Sequence, residues 1–161
     1  MAHHTVKSGY MELMDRLNRF PQGAPPGELL YKILKMLYSE KEAKLVSLLP
    51  IKPFTAEKAS RVWGKDPSTS QNILDELCSR AILMDMEENG NRVYCLPPPM
   101  AGFFEFSLMR IRNDIDQKVL SELFYQYLNV EDDFIKELFV KGETKLGRVF
   151  VHEPIFSSNN E

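Results

Sequence analysis

A run of uncharged polar side chains follows the dipeptide Asp66-Pro67. An aspartate followed by proline is typical of a helix start, so the run is predicted to occupy the first turns of a helix. Amide side chains can pair with adenine in the major groove, and hydroxyls can contact phosphate. The candidate base-reading residues are Ser68, Thr69, Gln71 and Asn72, and the candidate phosphate contacts are Lys65 and Arg92. One interpretation of this segment is therefore a recognition helix for duplex DNA.

The charge balance argues against that interpretation. Residues 55–92 carry five basic and seven acidic side chains, and the predicted wing tip contains Glu87 and Glu88. Residues 1–65 have eleven basic against six acidic side chains, whereas residues 66–161 have nine against seventeen. Affinity for duplex DNA depends mainly on neutralising phosphates. The sequence therefore favours a partner other than DNA.

The most unusual segment is rich in aromatic side chains and follows Pro97-Pro98-Pro99. Three prolines lead the chain stiffly away from the preceding element. The residues that could contact a partner are Phe103, Phe104, Phe106 and Met109. A core-facing helix is one explanation, and a protein interface is the other, since aromatic residues and methionine are enriched in interfaces.

The remaining reactive side chains predict no metal or catalytic site. Cys78 and Cys95 are 17 positions apart, without a CxxC motif, and each is expected to be a small buried apolar residue. The three histidines, His3, His4 and His152, do not combine into a ligand set on rigid elements. Four lysines are expected only to solvate helix faces, namely Lys32, Lys35, Lys41 and Lys44.

The periodicity of apolar residues predicts helices over most of the chain. A helix over residues 10–20 is ended by FPQGAPPG, which is a short surface linker. The next helix covers residues 28–38, and Ser39 with Glu42 forms a capping box that opens another. Thr55 is expected to cap a short helix over residues 56–63, which is stopped by Gly64.

A β-hairpin is predicted after the helix that begins at Asp66-Pro67. Residues 82–86 and 92–96 are β-prone, and Asn89-Gly90 between them favours a tight hairpin turn. Helix, helix, turn, helix and hairpin is the order of a winged helix. Further helices are predicted over residues 102–112, 115–128 and 131–140, with a short strand over residues 147–151 and a disordered tail.

The stretch over residues 37–97 resembles the winged helix of the MarR superfamily. In that resemblance FTAEKASRVWG is the first helix of the helix-turn-helix, KDPSTSQNILDELCSRAIL is the recognition helix with its exit, and MDMEENGNRVYCL is the wing. The resemblance implies a DNA-binding transcriptional regulator, and winged-helix proteins of this kind often dimerise through terminal helices.

A second resemblance covers residues 29–154. LLPIKPFTAEKAS, LPPPMAGFFEFSLMRIR, DIDQKVLSELFYQYLNVEDDFIKELF and LGRVFVHEP are similar to the N-terminal region of bacterial 4Fe-4S ferredoxin-domain proteins. In those proteins a cysteine-rich part follows this region, and no residue here corresponds to its cluster ligands. The resemblance implies an accessory domain with no cofactor of its own, and an iron–sulfur cluster only in a downstream domain or in a partner.

These observations predict a mainly α fold with a small β-hairpin, a winged helix-turn-helix flanked by N- and C-terminal helices. The predicted divisions are residues 1–27 (helix and linker), 28–97 (winged helix), 98–154 (helical extension) and 155–161 (tail). The expected function is a non-catalytic interaction or regulatory domain whose protein partner is an iron–sulfur redox module or a second copy. With no apolar stretch for a signal peptide or membrane span, the sequence predicts a cytoplasmic protein.

Overall fold

The computed structural model describes residues 8–130, 132–136 and 140. The described chain is mainly helical with one antiparallel hairpin, which confirms the predicted fold class. The elements are α1 (Gly9–Leu17), α2 (Glu28–Leu37), α3 (Glu40–Ser47), α4 (Ala56–Trp63), α5 (Pro67–Ser79), β1 (Met84–Glu88), β2 (Asn91–Cys95), α6 (Phe104–Met109), α7 (Gln117–Tyr125) and α8 (Asp132–Lys136). Two π-helical turns, Pro99–Phe103 and Gln126–Val130, precede α6 and follow α7.

Side-chain caps fix where the helices of the central segment begin. The Ser39 hydroxyl accepts from the Glu42 amide, and the Glu42 carboxylate accepts from the Ser39 amide at 2.7 Å, so the capping box is confirmed. The Thr55 hydroxyl accepts from the Lys58 amide and caps α4, and the Asp66 carboxylate accepts from the Thr69 amide and caps α5. Gly64 ends α4 with a left-handed backbone (φ 62°), which glycine adopts without a steric penalty.

The hairpin β1–β2 turns at Asn89-Gly90, where both residues have positive φ (52° and 76°) as a type I′ turn requires. Its register pairs Met84 with Cys95 and Glu88 with Asn91. Phe54 adds a single antiparallel bridge to Tyr94, with backbone hydrogen bonds of 2.9 and 2.7 Å. Helix α3, this bridge, α4, α5 and the hairpin follow one another in the order of a winged helix.

One hydrophobic core includes residues from α1 to α8. Helix α1 packs along α3, α4 packs on α5, and α2 packs against α7. In the C-terminal part the Phe104 ring contacts Phe124, Tyr127 and Phe134, with centroids 5.1 to 5.7 Å apart. The Tyr127 hydroxyl donates to the Pro25 carbonyl at 2.9 Å and so ties this cluster to the linker before α2.

The C-terminal elements differ in detail from the predictions. The helix expected over residues 102–112 begins as a π-helical turn and ends at Met109, and the one expected over residues 131–140 is seen as α8. The predicted strand over residues 147–151 and the tail lie outside the described residues. Among the helices that the structure describes, none has the length and apolar character needed to cross a bilayer.

Gly9 is required by the close approach of α1 to α3. A Cβ at this position would lie 2.6 Å from the Glu40 carbonyl oxygen and 2.8 Å from the Lys44 amide nitrogen, both backbone atoms. We expect Gly9→Ala to lower the free energy of unfolding by about 1–3 kcal/mol, because the packed helices must separate. Denaturant titration followed by circular dichroism measures this, with Met11→Ala on the exposed face of α1 as control. A Gly9→Ala variant as stable as the control would contradict the close packing.

Candidate functional site

Helix α6 divides the predicted contact residues into a buried and an accessible pair. Phe103 and Phe104 are 0% and 2% exposed, so the prediction that they contact a partner is wrong. Their rings instead pack on Tyr38, Phe124 and other aromatic residues of the core. The apolar face of a helix that meets the rest of the fold is buried. Phe106 is half-buried and Met109 is 73% exposed, so these two remain candidates.

The accessible side of α6 forms a pocket with the wing. Phe106, Met109 and Arg110 form one wall, and Leu83, Met84 and Asp85 of the hairpin form the other, around about 250 Å³. Cys78 and Ala81, at the end of α5, complete the lining. Ile111, two residues beyond α6, is 93% exposed. We refer to Phe106, Met109 and Ile111 as the α6 surface.

The turn Pro99–Phe103 sets the direction of α6. The Phe103 amide donates to the Pro98 carbonyl at 2.8 Å, and the Gly102 amide donates to the Glu105 carboxylate at 2.9 Å. A Cβ at Gly102 would lie 3.0 Å from the Pro98 ring, so glycine lets the turn close against the prolines. The prolines therefore position the α6 surface rather than separate it from the domain.

Most of the predicted DNA-reading residues are exposed to solvent, but one of them belongs to a hydrogen-bond network within the fold. Ser68, Thr69, Asn72 and Lys65 are exposed, but Gln71 is half-buried. The Gln71 amide donates to the Asp75 carboxylate at 2.9 Å and to the Tyr94 hydroxyl. The hydroxyl in turn donates to the same Asp75 oxygen at 3.0 Å. Gln71 is thus engaged in joining α5 to β2.

Arg92 is neutralised by two carboxylates of the fold. Its guanidinium lies 3.0 Å from Asp75 and 2.8 Å from Asp85, and it covers the Tyr94 ring at 5.4 Å. The hydrogen bond that Arg92 donates to the Asp85 carboxylate raises the pKa of Arg92 above its ordinary value. Arg80 is likewise paired with Glu42 on α3. Two of the five basic residues over residues 55–92, Arg80 and Arg92, are therefore paired with carboxylates of the fold.

Both cysteines are free thiols in surroundings that disfavour the thiolate. Burial raises the pKa of Cys78 to about 12, and it also raises the pKa of Cys95. Within residues 8–130, 132–136 and 140, no three histidine, cysteine or acidic side chains converge as a metal site requires. The three histidines of the sequence lie outside the described residues.

Two features of the site could not be seen in the sequence. Ile111 falls within the helix predicted over residues 102–112, but α6 ends at Met109, so its exposure could not be read from the periodicity. Met84 was expected to lie in a strand, but its position in the pocket wall depends on the packing of α6 against the wing.

No protein-family model, curated protein or solved structure matches the chain. The likeness to MarR-type winged helices and to ferredoxin-domain proteins therefore remains a prediction from sequence.

The raised thiol pKa predicts slow alkylation of Cys78. At pH 8 a thiol with pKa about 12 is ionised in about one molecule in ten thousand, and the thiolate is the reactive form. In a Cys95→Ser variant, the rate with iodoacetamide should still rise about tenfold per pH unit between pH 8 and 10, where an ordinary thiol levels off. The denatured variant is the control. Rapid modification of the native protein at pH 8 would contradict the burial of this thiol.

The pairing of Arg80 and Arg92 predicts weak attraction to duplex DNA. We expect no salt-sensitive complex with a duplex of mixed sequence in a gel-shift assay at about 50 mM salt, because acidic side chains outnumber basic ones over residues 55–92 and two of the five basic ones are paired within the fold. A basic winged-helix protein serves as the positive control. A complex that weakens steeply between 50 and 200 mM salt would restore the DNA interpretation.

Proposed function

We propose that the chain is a non-catalytic interaction domain that binds a protein partner through the α6 surface. The observation that carries the proposal is the exposure of Met109 (73%), which lines a pocket, together with that of Ile111 (93%), two residues further along the chain. Single exposed apolar side chains are common on proteins, but exposed apolar residues close in sequence beside a concave pocket are typical of an interaction site.

The energetics support burial of this surface in a complex. Complete burial of an isoleucine or methionine side chain contributes about 1.5–3 kcal/mol. Phe106, Met84 and Met109 provide pocket walls for an apolar anchor of a partner, and methionine adapts its shape to what it contacts. Binding energy in protein interfaces is concentrated in such anchors.

The charges at the rim restrict the partner. Arg110 lines the pocket and forms no ion pair within the part of the chain that the structure describes. Asp85, on the opposite wall, is already paired with Arg92. A partner segment with an apolar anchor followed by a carboxylate would therefore match the pocket, since opposite charges at a rim favour encounter and register.

The identity of the partner rests on the sequence resemblance alone. An iron–sulfur redox module is the partner class that it implies, and a regulatory role for the domain follows from that association. The DNA-binding alternative receives less support, because Gln71 and Arg92 are engaged in contacts within the fold.

Charge introduced into the α6 surface should abolish partner binding. We expect the double variant Met109→Glu, Ile111→Glu to lose the proteins captured by the tagged parent chain from an extract of its source, at least tenfold by quantitative mass spectrometry. Both side chains are exposed, so the fold should persist by circular dichroism.

The control is Leu48→Glu, which charges another exposed apolar residue (48%), at the end of α3 and away from the α6 surface. The proposal requires that this control captures the same proteins as the parent chain. Equal capture by the double variant would exclude the α6 surface as the binding site. The visible absorption of the captured proteins separately tests the iron–sulfur expectation.

A further inference from the structure

A second concavity lies between helices α3 and α5 and has a volume of about 710 Å³. Leu45 of α3 and Ile73 of α5 form its apolar lining, and both are half-buried. Lys41, one turn before Leu45, and Lys65, in the connection from α4 to α5, also line it. We refer to this concavity as the α3–α5 groove. It has no part in the function proposed above.

The acidic residues that line the groove are held by groups of the fold. The Glu42 carboxylate pairs with Arg80 and accepts from the Ser39 amide at 2.7 Å. Glu76 lies 3.9 Å from the same guanidinium. Glu40 accepts from the Gly9 amide at 2.5 Å, at the start of α1. Glu40 and Glu42 are therefore engaged in contacts within the fold, and Glu76 lies near the Arg80 guanidinium.

The lysines that line the groove differ in whether they form an ion pair. Lys44 is paired with Glu12 of α1. Lys41 and Lys65 have no ion pair within the described residues, and both are exposed. Two unpaired ammonium groups therefore accompany an apolar lining of leucine and isoleucine. A ligand that satisfies both features needs an apolar body and an anionic group.

We propose that the α3–α5 groove binds a small amphiphilic anion, a molecule with an aromatic or aliphatic body and one carboxylate or sulfonate. The body would lie on Leu45 and Ile73, and the anion would accept hydrogen bonds from Lys41 and Lys65. The volume falls within the range of about 300–1,000 Å³ that small-molecule sites occupy.

The test uses two fluorescent dyes that differ in one charge. The probe is 1-anilinonaphthalene-8-sulfonate, and its neutral counterpart is N-phenyl-1-naphthylamine, which lacks the sulfonate. For the double variant Lys41→Gln, Lys65→Gln we expect the Kd of the sulfonate dye to rise about tenfold, at about threefold for each exposed lysine. The Kd of the neutral dye should change less than twofold.

The matched control is Lys52→Gln, Lys58→Gln, which removes the same net charge from two exposed lysines that do not line the groove. It should leave the Kd of both dyes unchanged. Ile73→Glu, which puts a charge in the apolar lining, should weaken both dyes more than tenfold. Circular dichroism of each variant verifies that it is folded.

A measurement on the unaltered chain keeps the proposal testable even if a variant unfolds. Backbone amide NMR signals of residues 41–45 and 73–76 should shift on titration with the sulfonate dye. Shifts confined to residues 106–111, or equal dye affinity for the parent chain and the Lys41→Gln, Lys65→Gln variant, would overturn the proposal. Since the residues of the groove are separate from the α6 surface, failure of this proposal would leave the proposed binding of a protein partner untouched.

Discussion

Tyr38, between α2 and α3, connects three distant segments of the chain. Its hydroxyl donates to the Ile82 carbonyl at 2.9 Å, where α5 leads into the wing. Its ring stacks on Phe103, with centroids 6.1 Å apart and planes 10° from parallel. Its carbonyl accepts from the Tyr10 hydroxyl of α1 at 3.0 Å. Burial raises the pKa of Tyr38, so the hydroxyl stays a donor over the pH range in which proteins fold.

The α6 surface depends on this arrangement. The stack on Tyr38 fixes Phe103, and the contacts of Phe104 with Phe124, Tyr127 and Phe134 bury the inner face of α6. Residues three apart lie on one side of a helix, so burial of that face leaves Phe106 and Met109 together toward the wing. The same aromatic cluster that stabilises the C-terminal helices thus determines which apolar side chains stay accessible.

Local signals in the sequence were sufficient to predict where most helices begin and where the hairpin turns. Ser39, Thr55 and Asp66 cap helices through contacts three residues away, and Asn89-Gly90 forms its turn through its own backbone preferences. Because these interactions are short in range, they could be predicted without knowledge of the fold.

The candidate sites could be predicted only in part, because they depend on contacts between distant residues. The phenylalanine run indicated an apolar segment, but which rings are buried depends on α7 and α8, which follow it in the chain. The ion pair of Arg92 with Asp75 joins the wing to α5, and no local sequence pattern predicts this pair. Lys41 was expected only to solvate a helix face, and its place in a groove results from the spacing of α3 and α5.

Helix α5 contributes to both candidate sites through different parts of its length. Ile73 and Glu76 line the α3–α5 groove, whereas Cys78 lies in the pocket beside the α6 surface. Arg80, which follows both parts at the end of α5, pairs with Glu42 and holds that end to α3. The buried Nε of Arg80 has no hydrogen-bond partner within the described residues. The ion pair therefore contributes less to the free energy of unfolding than a pair whose polar atoms are all bonded. The Arg80–Glu42 pair is thus a direct contact between α3, which lines the groove, and the end of α5 that leads to the pocket.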